Sequence, residues 1–186
     1  MIAKQQLVTA EEFQDMPDIP GKILELVDGE VIEMPGANDL HMEIMLMLFD
    51  MIRDYARKHD LGVVRPDGLA YILHRDPDVV RVPDISFVTW ERVPDVSDKF
   101  REGPPDLAVE VVSPSDRATA MHRRVQDYLT SGTRQVWVLW PSQRALTVYE
   151  ADGSARELGA DALLDGGNVL PGFSVQVADL FEIRRR

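Results

Sequence analysis

Two acidic residues, Asp84 and Glu110, lie inside apolar, strand-like runs, where a charged side chain is costly unless something pairs with it. Asp84 lies in RVPDISFV (residues 81–88) and Glu110 in PPDLAVEVVSPSD (residues 104–116). If these runs form neighbouring strands, the alternation of side chains allows both carboxylates to converge on one point. Two like charges there repel each other unless a cation lies between them. Paired carboxylate oxygens are typical ligands of Mg²⁺ or Mn²⁺, so the two acids are candidates for a metal site.

The segment after Glu110 predicts an amphipathic helix with basic side chains. Arg117 and Arg124 fall on one helical stripe that borders the core, so Arg124 can reach toward the sheet. With His122 and Arg123 they form a locally basic patch, which next to a bound cation can accept a phosphodiester. The alternative is that each acid pairs with an arginine or caps a loop, and that His122 and Arg123 belong to a solvated helix face. The residues alone leave both interpretations open.

The elements that must position these side chains are indicated by turn and capping signals. Thr9 and Glu12 form a capping-box pattern at the start of a short helix, and Asp28-Gly29 is a tight-turn signal between two β-prone runs. The remaining pattern predicts a helix over 41–59, strands near 61–65, 69–74, 84–89 and 106–112, a helix from an N-cap at Ser115 to Gly132, and strands at 134–140 and 145–150. This order predicts a single domain over residues 1–186 with a mixed α/β fold, in which helices flank a mixed sheet and a β-hairpin precedes it.

Composition limits the classes of function. The chain has 186 residues, a formal net charge of −12 and no cysteine. We therefore expect no disulfide framework and no thiolate metal site, and a reducing, cytoplasmic setting. An apolar run of about eighteen residues is absent, which excludes a transmembrane helix, and MIAKQQLVTAEEF lacks the apolar core of a secretory signal. A nucleic-acid role requires a local basic patch or a metal ion to offset phosphate repulsion.

Several segments in a fixed order resemble a known family. ELVDGEVIEMPG, a histidine at 41, VRVPDISFV, PPDLAVEVVSPSD, YLTSGTRQVWVLWP and VLPGFSV are similar to the Uma-two family of bacterial endonucleases, within the PD-(D/E)XK restriction-endonuclease-like superfamily. The resemblance runs from about residue 7 to 181. It implies a restriction-endonuclease-like fold, divalent-metal-dependent hydrolysis of DNA phosphodiesters, and a homodimer or higher homo-oligomer.

The resemblance also implies roles for particular residues. Asp84 and Glu110 match the metal-binding acids, and the carbonyl of Val111 matches a further ligand of the Mg²⁺ or Mn²⁺ ion. His41 matches the histidine at the start of the first long helix, and Glu30 matches the acid after the hairpin glycine.

One position departs from the superfamily pattern, which has a lysine two residues after the glutamate, where this chain has Val112. In this family the lysine comes from the following helix, at the position of Arg124. Arginine can hold a phosphate or stabilise developing charge, but it does not lose its proton and so cannot act as a general base. The attacking water then depends on the metal to lower its pKa.

The first hypothesis is therefore a metal-dependent DNA endonuclease, with Arg124 on the scissile phosphate and His41 and Glu30 supporting the site. The alternative is a catalytically weakened nuclease fold that acts as a DNA- or protein-binding module, as Val112 and the net charge of −12 suggest. A hydrolase that uses two carboxylates on a sugar is a third interpretation, disfavoured by the aromatic content of 7%.

Overall fold

The structure is a computed structural model that describes residues 7–183. In this range the α-helices are α1 (Ala10–Gln14), α2 (Asp39–Lys58) and α3 (Ala118–Ser131), and short 3₁₀ helices cover Trp90–Arg92, Pro141–Gln143 and Val177–Phe181. The strands in chain order are β1 (Lys22–Val27), β2 (Glu30–Pro35), β3 (Gly62–Pro66), β4 (Tyr71–His74), β5 (Val79–Arg81), β6 (Ile85–Thr89), β7 (Arg101–Glu102), β8 (Leu107–Val111), β9 (Gln135–Trp140), β10 (Ala145–Glu150), β11 (Ala155–Leu158), β12 (Leu163–Asp165) and β13 (Ser174–Gln176). No helix of the described range has the length and apolar character that crossing a bilayer requires.

The strands form two larger sheets and one small one. The six-stranded sheet has the order β11-β10-β9-β8-β6-β3, the five-stranded sheet has the order β2-β1-β5-β4-β7, and β12 pairs with β13. The predicted mixed α/β architecture is confirmed, since β8 and β9 run parallel while β6 pairs antiparallel with β8. Helix α3 connects the parallel pair β8 and β9, as expected of strand–helix–strand order.

Strand β8 lies at the centre of the molecule, and all five of its residues are buried. Leu107, Val109 and Val111 pack into a core with residues of α2 and of the C-terminal segment. Ala108 packs into a second core with residues of α3, such as Val125. The prediction of a strand covered on both faces is therefore confirmed, and Glu110 shares the α3 face with Ala108.

Capping and turn residues in the sequence determine where several helices and strands begin or end. Thr9 and Glu12 form the predicted capping box. The turn at Asp28 and Gly29 has φ values of 52° and 75°, which suits a tight β-hairpin turn. Gly132 ends α3 in the left-handed conformation, with a φ of 106°.

The predicted N-cap of α3 is wrong, because Arg117 rather than Ser115 precedes the first helical turn. The residues before it form a separate turn, in which the Ser113 amide donates to Asp116 Oδ2 at 2.7 Å and the Asp116 amide donates to the Ser113 carbonyl at 3.0 Å. Side-chain to backbone bonds of this kind compete with helix formation. The helix consequently begins two residues later than its sequence pattern predicts.

Candidate active site

Asp84 and Glu110 face the same side of neighbouring antiparallel strands. Ile85 pairs with Val109 in the β6–β8 register, so one further step places Asp84 directly opposite Glu110. Directly opposed residues of an antiparallel pair share a face of the sheet. Both acids line a cavity of about 300 Å³, together with His41, Val111 and Arg124 and with the loops at 35–38 and 113–116. The neighbouring strands expected from the sequence are confirmed.

Asp84 is held at both carboxylate oxygens. His41 Nε2 lies 3.0 Å from Asp84 Oδ1, and the backbone amide of Val111 donates to Asp84 Oδ2 at 2.6 Å. The other ring nitrogen of His41 lies 3.3 Å from the Ser113 hydroxyl, which orients the imidazole. Burial lowers the pKa of His41, but its hydrogen bond to Asp84 and the Asp84 charge outweigh burial, so the pKa is raised. The histidine consequently fixes the orientation of Asp84, and the raised pKa favours its protonated form.

The first turn of helix α2 places His41 beside Asp84. The Asn38 side chain accepts a hydrogen bond from the His41 amide at 3.0 Å, which caps the helix at its first turn. The apolar stripe of α2, which includes Ile44, Leu48 and Ile52, packs on the sheet and fixes the axis of the helix. The position of the imidazole therefore follows from a local cap and from burial of one helix face.

Glu110 is 2% exposed and also has a partner at each oxygen. Arg124 Nη1 donates to Glu110 Oε2 at 2.7 Å, and the Tyr128 hydroxyl donates to Oε1 at 2.9 Å. Both partners come from α3, one helical turn apart, so docking of this helix determines the surroundings of the carboxyl. Burial raises the pKa of Glu110 to about 8; Arg124 opposes the shift, while the Asp84 charge adds to it.

Arg124 joins α3 to the N-terminal hairpin as well as to β8. Its Nη2 donates to Glu25 Oε2 at 2.8 Å and contacts Met34 Sδ at 2.7 Å. Burial lowers its pKa, but the charges of Glu110 and Glu25 outweigh burial, and the pKa of the guanidinium lies well above its ordinary value. The expectation that Arg124 reaches the sheet is confirmed.

Glu25 is the residue of this cluster that the sequence interpretation missed. It is fully buried on β1 and accepts hydrogen bonds from Arg81 Nη1 at 2.6 Å, from Arg124 at 2.8 Å and from the Val82 amide at 3.0 Å. Arg81 also donates to Asp127 Oδ2 at 2.6 Å, which extends the network along α3. The signal that singled out Asp84 and Glu110, an acid inside an apolar run, is present in KILELV too.

Glu30 does not lie in this cavity. It is the exposed first residue of β2 and stands opposite Val27 beside the hairpin turn, whereas Glu25 stands opposite Ile32. The hairpin acid that contacts Arg124 is therefore Glu25, and the structure gives Glu30 no contact with the cluster. The reason is geometric, because the site lies alongside the middle of β1 rather than at its turn.

Of the remaining residues that the sequence singled out, one lies in the cavity and the others lie at exposed positions of α3 or just before it. Val111 lines the cavity and contributes its amide to Asp84, as described above. Arg123 bonds Asp28 at 2.7 Å and Asp127 at 2.9 Å, while Arg117 and His122 are exposed, so the basic patch is partly used in ion pairs. Among residues 7–183 no group of three or more His, Cys, Asp or Glu side chains has the arrangement of a metal site.

Comparison with known proteins agrees with this architecture. No curated protein matches the chain. A solved structure, described as a "putative nuclease belonging to DUF820" from Anabaena variabilis, is similar with a TM-score of 0.83 and 22% sequence identity, covering 94% of this chain and 97% of that one. At this identity the likeness establishes the shared fold. The family model Uma2, described as "Putative restriction endonuclease", matches residues 10–178, and the chain therefore belongs to the Uma2 family.

Proposed function

We propose that this protein is a DNA endonuclease that hydrolyses phosphodiester bonds with a divalent cation, Mg²⁺ or Mn²⁺, held by Asp84 and Glu110. The observation that carries the proposal is the convergence of these two acids, from directly opposed strand positions, on one cavity that also contains Arg124. Membership of a family described as restriction endonucleases supports the same reaction class.

The donor set of the cavity fits a hard divalent cation. Mg²⁺ is commonly bound through one or two carboxylates, with water and substrate phosphate in the other positions. Glu110 is a buried carboxyl whose pKa is raised to about 8 even with Arg124 at 2.7 Å, so its anion lacks compensating positive charge. Asp84 and Glu110, with the Val111 carbonyl as a further candidate, are the groups that would hold the ion. When bound, such an ion polarises a phosphoryl oxygen and lowers the pKa of a water molecule.

The chain's own residues then have separate tasks. His41 and the Val111 amide hold the Asp84 carboxylate in one orientation, and Tyr128 does the same for Glu110. Arg124 keeps its positive charge at every accessible pH, so it can bind a phosphate oxygen and stabilise charge that develops there. Because it cannot release a proton, we do not assign it as the base.

The test is nicking of supercoiled plasmid DNA with Mn²⁺, compared between wild type and the variants Asp84→Asn and Glu110→Gln. Both changes keep the shape of the side chain and remove its negative charge, and we expect at least a hundredfold loss of activity, on the order of one transition-state interaction. Glu157→Gln, an exposed acid on β11, is the matched control and retains activity. Undiminished nicking by either site variant contradicts the assignment.

A second candidate function has its own support in the hydrogen bonds of the site. Both oxygens of Asp84 and both oxygens of Glu110 are already engaged within the protein. A metal ion must compete with these contacts, and Val112 stands where the superfamily has lysine. A catalytically weakened nuclease fold that binds DNA or protein is consistent with both facts.

Titration calorimetry with Mn²⁺ separates the two functions. Micromolar binding that is lost in Glu110→Gln supports the nuclease, whereas no metal binding by wild type supports the binding module. We also propose a homodimer or higher homo-oligomer in solution, which light scattering coupled to gel filtration measures directly; a monomer at all concentrations contradicts it.

A further inference from the structure

A second cavity lies next to the candidate active site and contains basic side chains. Its volume is about 580 Å³, and Arg65, Lys99 and Arg101 are among its lining residues. Arg101 belongs to β7, the edge strand of the five-stranded sheet, and Arg65 belongs to β3, the edge strand of the six-stranded sheet. In a chain of net charge −12, three basic side chains around one cavity suggest an anionic ligand.

One nitrogen of the Arg101 guanidinium has no hydrogen-bond partner among residues 7–183. This atom, Nη1, is buried, and no acceptor within the described part of the chain contacts it. A buried cationic donor without an acceptor is costly, because it loses its hydration and gains no hydrogen bond in return. A ligand that brings an acceptor and a negative charge into the cavity would remove this cost.

Three acids, Asp67, Asp95 and Glu102, line the same cavity as the three basic residues, so the two signs are equal in number and differ in how they are engaged. Glu102 forms an ion pair with Arg75, which lies outside the cavity. Asp95 is exposed to solvent, where its charge is screened.

Asp67, which lines the second cavity, lies beside Asp84 of the candidate active site. Pro66 pairs with Ile85 in the β3–β6 register, so the next residue on each strand, Asp67 and Asp84, are neighbours. Asp67 lines the second cavity and its pKa responds to the charges of Asp84 and His41. A ligand that extends from the first cavity past Asp84 can therefore reach the second one.

We propose that the cavity around Arg101 binds a backbone phosphate of the nucleic acid, at a position flanking the phosphate that is cleaved. Arg101, a half-buried side chain with an unpartnered Nη1, supplies one positive charge, and Arg65 and Lys99 add charge around it. The identity of the ligand as nucleic acid rests on the proposed function, whereas the anion site itself rests on the unpartnered Nη1 of Arg101 and its basic neighbours.

The first experiment measures binding of a fluorescently labelled DNA duplex by anisotropy, with EDTA present so that no cleavage occurs. We expect Arg101→Gln and Lys99→Gln each to weaken binding about three- to tenfold and to lower the slope of log affinity against log salt by about one. Arg101→Lys keeps the charge and retains most of the affinity. Arg57→Gln, an exposed arginine near the end of α2, is the matched control and changes neither quantity.

The second experiment needs no DNA. Inorganic phosphate, compared with chloride at equal ionic strength, should raise the thermal midpoint of wild type, and Arg101→Gln should abolish the shift. Circular dichroism checks folding, and Lys99→Gln, at an exposed position, tests the cavity even if Arg101 variants do not fold.

The outcomes separate this proposal from the proposed function. If wild type binds DNA and both Gln variants match it in affinity and salt slope, the flanking phosphate site is overturned while the nuclease assignment stands. If wild type neither binds nor cleaves DNA, the nuclease assignment fails, and the phosphate shift then decides the anion site. A phosphate shift that is absent from wild type, or unchanged in Arg101→Gln, overturns the anion site as well.

Discussion

Replacing Glu110 with glutamine should remove a loss of stability that wild type suffers between acidic and neutral pH. The carboxyl is fully buried and its pKa is raised from 4.5 to about 8 in the folded chain. The folded state therefore binds this proton more tightly than the unfolded state does. Above the unfolded pKa, stability falls as the pH rises toward the folded pKa, by about 1.4 kcal/mol per pH unit. Between pH 4.5 and pH 7 this linkage amounts to about 3 kcal/mol, and glutamine has no proton to lose.

The assay is urea unfolding of wild type and Glu110→Gln at about pH 5 and about pH 7, with EDTA present. The measured quantity is the free energy of unfolding of wild type minus that of the variant. We expect this difference to fall by about 2–3 kcal/mol between the two pH values, with equal m-values for both proteins. Subtraction cancels the titration of other buried acids, which the two proteins share. Glu157→Gln, at an exposed position, should give a difference near zero at both pH values.

The opposite pH dependence would show that Arg124, rather than burial, dominates the pKa of Glu110. If the ion pair at 2.7 Å kept the carboxyl ionised, the pKa in the folded chain would lie at or below its ordinary value. Wild type would then gain stability relative to the variant as the pH rises, or the difference would stay constant. Either observation refutes the reasoning from burial.

Three further predictions concern the same network. Arg81→Met removes a buried cation from Glu25, which keeps Arg124, and from Asp127, which keeps only the more exposed Arg123, and should lower the free energy of unfolding by about 3 kcal/mol, measured by urea denaturation. Arg124→Lys keeps a positive charge near Glu110 but introduces a removable proton, so initial rates of Mn²⁺-dependent nicking should rise at alkaline pH; equal rates at every pH contradict a role for that proton. The affinity for Mn²⁺, measured by calorimetry, should rise up to about tenfold per pH unit between about pH 6 and pH 8, because Glu110 must lose its proton; an affinity independent of pH contradicts this linkage.

Local chemistry in the sequence predicts a large part of the fold. The Asp28-Gly29 turn and the Gly132 cap depend on backbone conformations that few residue types adopt, so their positions can be identified without tertiary information. The same holds for β8, whose continuous apolar run matches its burial on both faces. If the strands that contain Asp84 and Glu110 are taken as neighbours, side-chain alternation allows the two carboxylates to lie on the same face.

The part that could not be predicted depends on contacts between distant segments. Glu25 belongs to the cluster because β1 pairs with β5, where Leu26 stands opposite Val80, and because α3 brings Arg124 to the same place. Neither contact has a local signal, and the family resemblance pointed to Glu30 instead. Strand β5 was not predicted as a separate element either, since its three residues are too few to show a period.

The charges buried around the site explain why a protein of net charge −12 can still offer a site for phosphate chemistry. Four buried carboxylates, Glu25, Asp84, Glu110 and Asp127, face two arginines of the core, Arg81 and Arg124; the more exposed Arg123 also pairs with Asp127, and His41 is the partner of Asp84. An excess of buried negative charge must be relieved by protonation or by a cation. The raised pKa of Glu110 and of His41 both reflect relief by protonation. A divalent cation offers the second route, and its excess charge would attract the same phosphate that the rest of the acidic surface repels.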